Sequence, residues 1–219
     1  IAGGSFVGGA GAGIKIPALD STSSVTIHDA IATSAASSAA EFQAIDGNVD
    51  MSGGSFAGST YGVNFIGAIT ANGKVSIRAA TVSATQFNTV KFAAAVIGAA
   101  AISGCAITCS SATSAALLFE VAVSGPVAVS KTTIAATFCG INLKQPRALA
   151  TFTDVTVTSG AGGIGFNVDS LLAATIIFSG GSISSVNRAI NLPAVDGASA
   201  ITVSGAIIAS ATAHAVAAA

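Results

Sequence analysis

The sequence predicts an all-β fold, a right-handed parallel β-helix with three strands per coil and eight to nine coils of about twenty-five residues. Three observations carry this expectation. Bulky apolar residues recur in pairs five positions apart, the pairs recur at a near-constant step, and a third apolar position follows each pair.

The pairs are Ile1/Phe6, Met51/Phe56, Ile77/Val82, Ile102/Ile107, Val129/Ile134, Phe152/Val157, Phe178/Ile183 and Val203/Ile208. A shortened pair, Ile27/Ile31, fills the one gap. From Met51 onward the first members advance by 26, 25, 27, 23, 26 and 25 residues. The third positions are Ile16, Phe42, Phe65, Phe92, Phe119, Leu143, Phe166, Leu192 and Ala217. Each of the three segments alternates in hydrophobicity with period two and is bounded by Gly, Ala or Ser, which reads as three strands. Helices are disfavoured, because β-branched residues and Gly are spread evenly and capping signals are missing. Such a triplet buries its apolar row only by stacking on the next copy, about 4.8 Å away. Parallel crossovers fix the expected hand as right-handed. Phe65, Phe92 and Phe119 should stack inside the solenoid.

Composition excludes several classes. Charged residues make up 8% of the chain, against about 25% in an average soluble domain, while hydrophobic residues make up 52%. That balance is the opposite of the disorder signature. A net charge of −1 with scattered Lys and Arg gives no footprint for nucleic acid. The 25 glycines follow no collagen triplet, and three cysteines are too few to staple a small scaffold. One domain spanning residues 1–219 is expected.

Residues 92–119 carry no charge between Lys91 and Glu120, which raises a membrane span. Ser103, Thr108, Ser110, Ser111, Thr113 and Ser114 interrupt the stretch, and the chain has no Trp and one Tyr for an interfacial belt. No membrane span is expected. The start, Ile1-Ala2-Gly3-Gly4, lacks Met and a basic region, so the chain reads as a segment of something longer.

The bends Met51-Ser52-Gly53-Gly54-Ser55-Phe56 and Phe178-Ser179-Gly180-Gly181-Ser182-Ile183 are each followed by a strand of related pattern. Apolar-Asn-apolar triplets occur at Val63-Asn64-Phe65, Ile141-Asn142-Leu143 and Ile190-Asn191-Leu192. Together these features resemble the pectin-lyase-like right-handed β-helix superfamily. The resemblance implies the fold and, for glycan-active members, carboxylates and a basic residue on an outer sheet, sometimes with a cation. The paired-Asp signature of polygalacturonases and the acidic calcium cage of pectate lyases are both missing here.

Residues beside the inward ones form outward columns. One reads His28, Ser52, Arg78, Ser103, Ser130, Thr153, Ser179, Ser204, and its neighbour reads Thr26, Asp50, Ser76, Ala101, Ala128, Thr151, Ile177, Thr202. His28, Asp50 and Arg78 fall on three consecutive coils with Asp29 close by, and they are the catalytic candidates. An Arg can pair a uronate while a base removes the α-proton. The same residues also read as polar groups satisfying one another on a surface. No exposed aromatic residue is expected to stack a sugar ring.

The hydroxyls Ser52, Ser103, Ser130, Thr153, Ser179 and Ser204 form the candidate binding face. A flat, uncharged Ser/Thr/Ala sheet is also the kind of surface that orders water, though Thr-x-Thr occurs only at Thr151/Thr153 and Thr156/Thr158.

Other motifs imply less. Gly160, Gly162, Gly163 and Gly165 fit G-x-G-x-x-G, but a strand follows where a nucleotide fingerprint needs a helix. Residues 8–15 approximate a phosphate loop without its Gly-Lys-Ser/Thr ending. Cys105, Cys109 and Cys139 read as buried thiols or at most one bridge, and no metal or cofactor is expected. Lys131/Asp154 and Glu120/Lys144 read as ion pairs between adjacent coils.

The expected function is a non-enzymatic β-helix segment of an extracellular surface, fibre or virion spike protein. Protein partners or copies of the chain would cover the solenoid ends, where strand edges are otherwise unpaired. The alternatives are a polysaccharide lyase or glycoside hydrolase, and an ice-binding protein.

Overall fold

The computed structural model of the chain describes residues 1–160, 162–170, 173–193 and 198–218. Among them there is no helix, and the chain winds into a parallel β-solenoid of three sheets. Sheet A has eight strands, from Ser24–His28 to Ala200–Ser204. Sheet B has nine, from Ser5–Gly8 to Ile207–Ser210, and sheet C has nine, from Ile14–Ile16 to Val216–Ala218. Every strand pairs in parallel with the equivalent strand one coil away, as in Ile77↔Ile102, Phe56↔Val82 and Phe65↔Phe92. Residues 92–119 lie in this winding as short strands, and no helix among the described residues is long and apolar enough to cross a membrane.

Like residues stack on like. On sheet A the inward column runs Ile27, Met51, Ile77, Ile102, Val129, Phe152, Phe178, all buried. In sheet C, Phe42, Phe65, Phe92 and Phe119 form an aromatic stack with centroid separations of 4.9, 4.7 and 4.5 Å. Each buried aromatic ring removes about 150–250 Å² from water, so this column dominates the first half of the core. A fourth inward column, Leu19, Ile45, Ile69, Val96 and Val123, joins by isolated bridges at the corner between sheets C and A.

The bend from sheet A to sheet B repeats its geometry in every coil. The second residue after the inward one has a left-handed φ, from Gly3 (63°) to Gly205 (64°). Four of these are not glycine: Asp29 (48°), Ala79 (52°), Lys131 (48°) and Asp154 (53°). That conformation turns the amide along the solenoid axis. Asp29 N–H therefore reaches Ser52 O at 2.9 Å, Ala79 N–H reaches Ser103 O at 2.9 Å, and Asp154 N–H reaches Ser179 O at 2.8 Å. The ladder thus continues around the corner, with the amides of Gly3, Gly53, Gly104, Lys131 and Gly180 bonded to the next coil in the same way.

Three expectations need correction. Ala32, not Ile31, pairs with Phe6 and Phe56 and is fully buried, while Ile31 is 51% exposed. The bend fixes a spacing of five, so the more apolar neighbour is left outside and the small residue lies between two phenyl rungs. Two residues do not continue the third column: Phe166 pairs with Ile141 and Ile190 while Val168 opposes Leu143, and Ala217 pairs with the outward Asn191 while Ala218 opposes Leu192. The Phe166 ring instead packs edge-on against Phe152 and Phe178 at 5.3 and 4.9 Å. Lys131 and Asp154 form no ion pair, because both occupy bend positions, and the Asp154 carboxylate lies over Gly180 on the next coil.

Candidate functional site

The outward columns of sheet A fall in the expected register. His28, Ser52, Arg78, Ser103, Ser130, Thr153, Ser179 and Ser204 occupy consecutive rungs, as do Thr26, Asp50 and Ser76. The hydroxyls of Ser103, Ser130, Thr153, Ser179 and Ser204 therefore make one half-buried to exposed row.

At its N-terminal end the charged residues resolve into two units. Arg78 grips Asp50 through two bonds, Nη2 to Oδ2 at 2.6 Å and Nε to Oδ1 at 3.2 Å, so Nη1 is not used in the pair. His28 is held on both sides, by Asp29 Oδ2 at 2.9 Å from Nε2 and by Ser52 Oγ at 2.9 Å from Nδ1. An added Cβ on Gly53 would sit 2.0 Å from Asp29 Oδ1, so the missing side chain is what gives that carboxylate its place. The register puts His28, Asp50 and Arg78 on consecutive coils as the sequence implies, but the contacts join His28 to Ser52, which the sequence assigns to the hydroxyl face, and to the neighbouring Asp29.

A second site lies on the outer face of sheet C, where the apolar-Asn-apolar triplets named from the sequence mark two of its members, Asn142 and Asn191. Asn142, Asn167 and Asn191 stack in one outward column. Their amides form a chain: Asn191 Nδ2 donates to Asn167 Oδ1 at 2.7 Å, and Asn167 Nδ2 donates to Asn142 Oδ1 at 3.4 Å. Arg188 Nη1 donates to Asn191 Oδ1 at 2.9 Å at one end. At the other, Asn142 Nδ2 donates to Asp169 Oδ2 at 3.1 Å, and Asn167 also donates to Asp169. A cation and an anion thus terminate a run of aligned amide dipoles, which polarises every bond in it.

The ladder lines a cleft of about 470 Å³ whose other walls include Leu118, Phe138, Ile164, Asn88 and Lys144. Glu120 pairs with Lys91 at 2.6 Å and with Lys144 at 3.7 Å, the latter as the sequence predicts. In the turns from sheet B to sheet C, Tyr61 and Phe87 stack at 5.7 Å with Lys91 Nζ 5.3 Å above the Tyr61 ring. Phe87 is 46% exposed, which corrects the expectation that no aromatic residue is available to a sugar. The signal for it was the Thr85-Gln86-Phe87-Asn88 turn, where an aromatic residue falls outside the inward repeat.

Sheet B carries no charged residue in any of its nine strands. Its outward positions are mostly Ser, Thr and Ala, including Thr156/Thr158. Thr151/Thr153 belong to sheet A.

Cys105, Cys109 and Cys139 are free and buried. Burial raises all three thiols, and Cys139 is pushed up to about 12 by burial, with Asp169 and Cys109 adding to the shift. They are poor nucleophiles and poor ligands in that state. Of the Gly-rich turn before Ile164–Val168, Gly162 has φ 74° and Ala161 lies outside the described residues. Among the described residues, no three His, Cys, Asp or Glu side chains converge to hold a metal.

Comparison with known proteins gives no match, whether to a family model, to a curated protein or to a solved structure.

Proposed function

We propose that this chain is a structural, carbohydrate-binding β-solenoid segment of an extracellular surface, fibre or virion-spike protein. The observation that carries the reading is the sheet C groove. It sets a ladder of amides beside apolar walls from Leu118, Phe138 and Ile164, and the half-buried Tyr61 and exposed Phe87 stack outside that lining, in turns that lead into the same sheet. Sugar recognition needs this mixture, since a pyranose has one apolar face and a rim of hydroxyls that both donate and accept. A lyase reading fits less well, because the Asp50 carboxylate already balances the charge of the one guanidinium in this cluster that would pair a uronate.

The test is a glycan panel of neutral, N-acetylated and acidic oligosaccharides applied to the intact chain. Binding is expected, and Phe87→Ala and Asn167→Ala should each weaken it about tenfold or more, in line with the loss of a stacked ring or a buried polar partner. An intact chain that ignores the whole panel overturns the reading.

Ice binding stands as a second reading, favoured by the uncharged nine-stranded sheet B rather than by the sheet A hydroxyl row. Thermal hysteresis in the intact chain, abolished by Thr158→Tyr, would support it. Its absence would remove it.

A further inference from the structure

We propose that Ser52, His28 and Asp29 form an acyl-transfer centre that hydrolyses carboxylic esters, with Arg78 facing the developing oxyanion. The inference goes beyond carbohydrate binding and lies on a different sheet from the groove.

The roles follow from atoms already placed. A serine hydroxyl is a weak nucleophile until a base takes its proton, and that base works best when a third group fixes its tautomer and orientation. Here Ser52 Oγ is 2.9 Å from His28 Nδ1, and His28 Nε2 is 2.9 Å from Asp29 Oδ2. A carboxylate only accepts, so Nε2 carries the proton and Nδ1 presents its lone pair to the serine. The two ring nitrogens exchange the roles they have in familiar triads, and either one is chemically competent.

The solenoid supplies the alignment. His28, Ser52 and Arg78 are successive rungs of one outward column, so base, nucleophile and cation are spaced by the strand repeat. Asp50 holds the guanidinium by Nε and Nη2 and leaves Nη1 unused in that pair, on the rung next to Ser52. The histidine clamp is built in a similar way. Asp29 sits in a left-handed bend conformation at φ 48°, and its carboxylate occupies the space that any side chain on Gly53 would fill. The Asp154/Gly180 bend repeats that carboxylate placement, but Thr153 stands there where His28 stands here. The His–Ser contact is therefore an addition to the structural bend and not part of it.

The chemistry balances without a cofactor. Ser52 Oγ attacks the ester carbonyl carbon, its proton passes to His28 Nδ1, and the carbonyl electron pair moves to the oxygen facing Arg78. Collapse of that intermediate breaks the carbon–oxygen bond to the alcohol, which leaves with the proton from Nδ1. Water then repeats the sequence on the acyl-serine, releasing the carboxylic acid and restoring the serine. His28 and Asp29 are 58% and 63% exposed. The site therefore suits a small acyl group presented from outside, such as an ester on a polymer surface, and not a ligand that must be engulfed.

The experiment uses the full chain with a fluorophosphonate probe and with p-nitrophenyl acetate. Peptide mass mapping should place the phosphonyl group on Ser52, and both labelling and ester hydrolysis should vanish in Ser52→Ala and His28→Ala. Asp29→Asn keeps a residue that tolerates the bend. It should lower kcat at least tenfold while KM holds, as expected of a positioning residue. Arg78→Gln should lower kcat by roughly tenfold to a thousandfold, the scale of a lost oxyanion partner. Each variant is checked for an unchanged cooperative melt. A folded chain whose Ser52 is not labelled, or whose labelling survives His28→Ala, overturns the proposal.

Discussion

Phe92 and Phe119 lie face to face, with centroids 4.5 Å apart and ring planes 2° from parallel. Phe65 closes on the other side of Phe92 at 4.7 Å. Truncating the middle ring opens a cavity that two rigid neighbours cannot fill. Phe92→Ala should therefore cost about 3–5 kcal/mol, and Phe92→Leu distinctly less. Urea unfolding midpoints of the two variants measure the difference.

Ala79 bends at φ 52° with a Cβ that pays the left-handed penalty, about 1–2 kcal/mol. Replacing it with glycine removes that cost and adds back about 0.4–1 kcal/mol of unfolded-state entropy. Ala79→Gly should thus stabilise the chain, by at most about 1.5 kcal/mol. Gly104 offers the reverse test. A Cβ there meets nothing closer than 3.8 Å, so Gly104→Ala should lose stability through conformation alone. Thermal melts of both variants should move in opposite directions.

The Cys139 thiol is raised from 9.0 to about 12 in the folded chain, first by burial. The folded state therefore binds the thiol proton more tightly than the unfolded state. The associated stability is fully present below pH 9 and is lost as pH rises toward 12. The melting temperature should fall over that window, and less steeply in Cys139→Ala. Native protein at pH 8 should leave Cys139 unmodified by iodoacetamide, while urea-unfolded protein should react.

The Arg78–Asp50 pair has good geometry but exposed partners, with side chains 54% and 37% accessible. Solvent screening limits its contribution, so a double-mutant cycle with Arg78→Ala and Asp50→Ala should give a coupling of about 1 kcal/mol or less. The coupling should shrink further in 1 M salt.

The inward half of this molecule was legible because packing constrains it. Ile77, Ile102 and Val129 repeat since each must cover the one below, and that demand writes a period into the sequence. Ile31 and Phe166 misled because hydrophobicity alone does not say which of two nearby residues faces in, whereas the bend geometry does. Outward residues obey no such demand. The His28, Asp50 and Arg78 columns could be aligned once the period was known, yet the role of Ser52 depends on a rotamer. The Asn142, Asn167, Asn191 ladder was visible as a motif in two of its three rungs. Its closure by Arg188 and Asp169 joins residues whose partners are set by side-chain reach, which no spacing rule records.

The rung-to-rung pairing also governs how the chain reaches this shape. Ile27 meets Met51 and Ile77 meets Ile102, and each such meeting closes a loop of nearly the same length wherever it occurs. Loop-closure entropy depends on that length and not on how many rungs already stand, so each coil adds at a similar entropic cost. Folding speed per coil should then be independent of the total number of coils. A longer or shorter solenoid of this kind changes how long assembly takes, without raising the barrier to any single step.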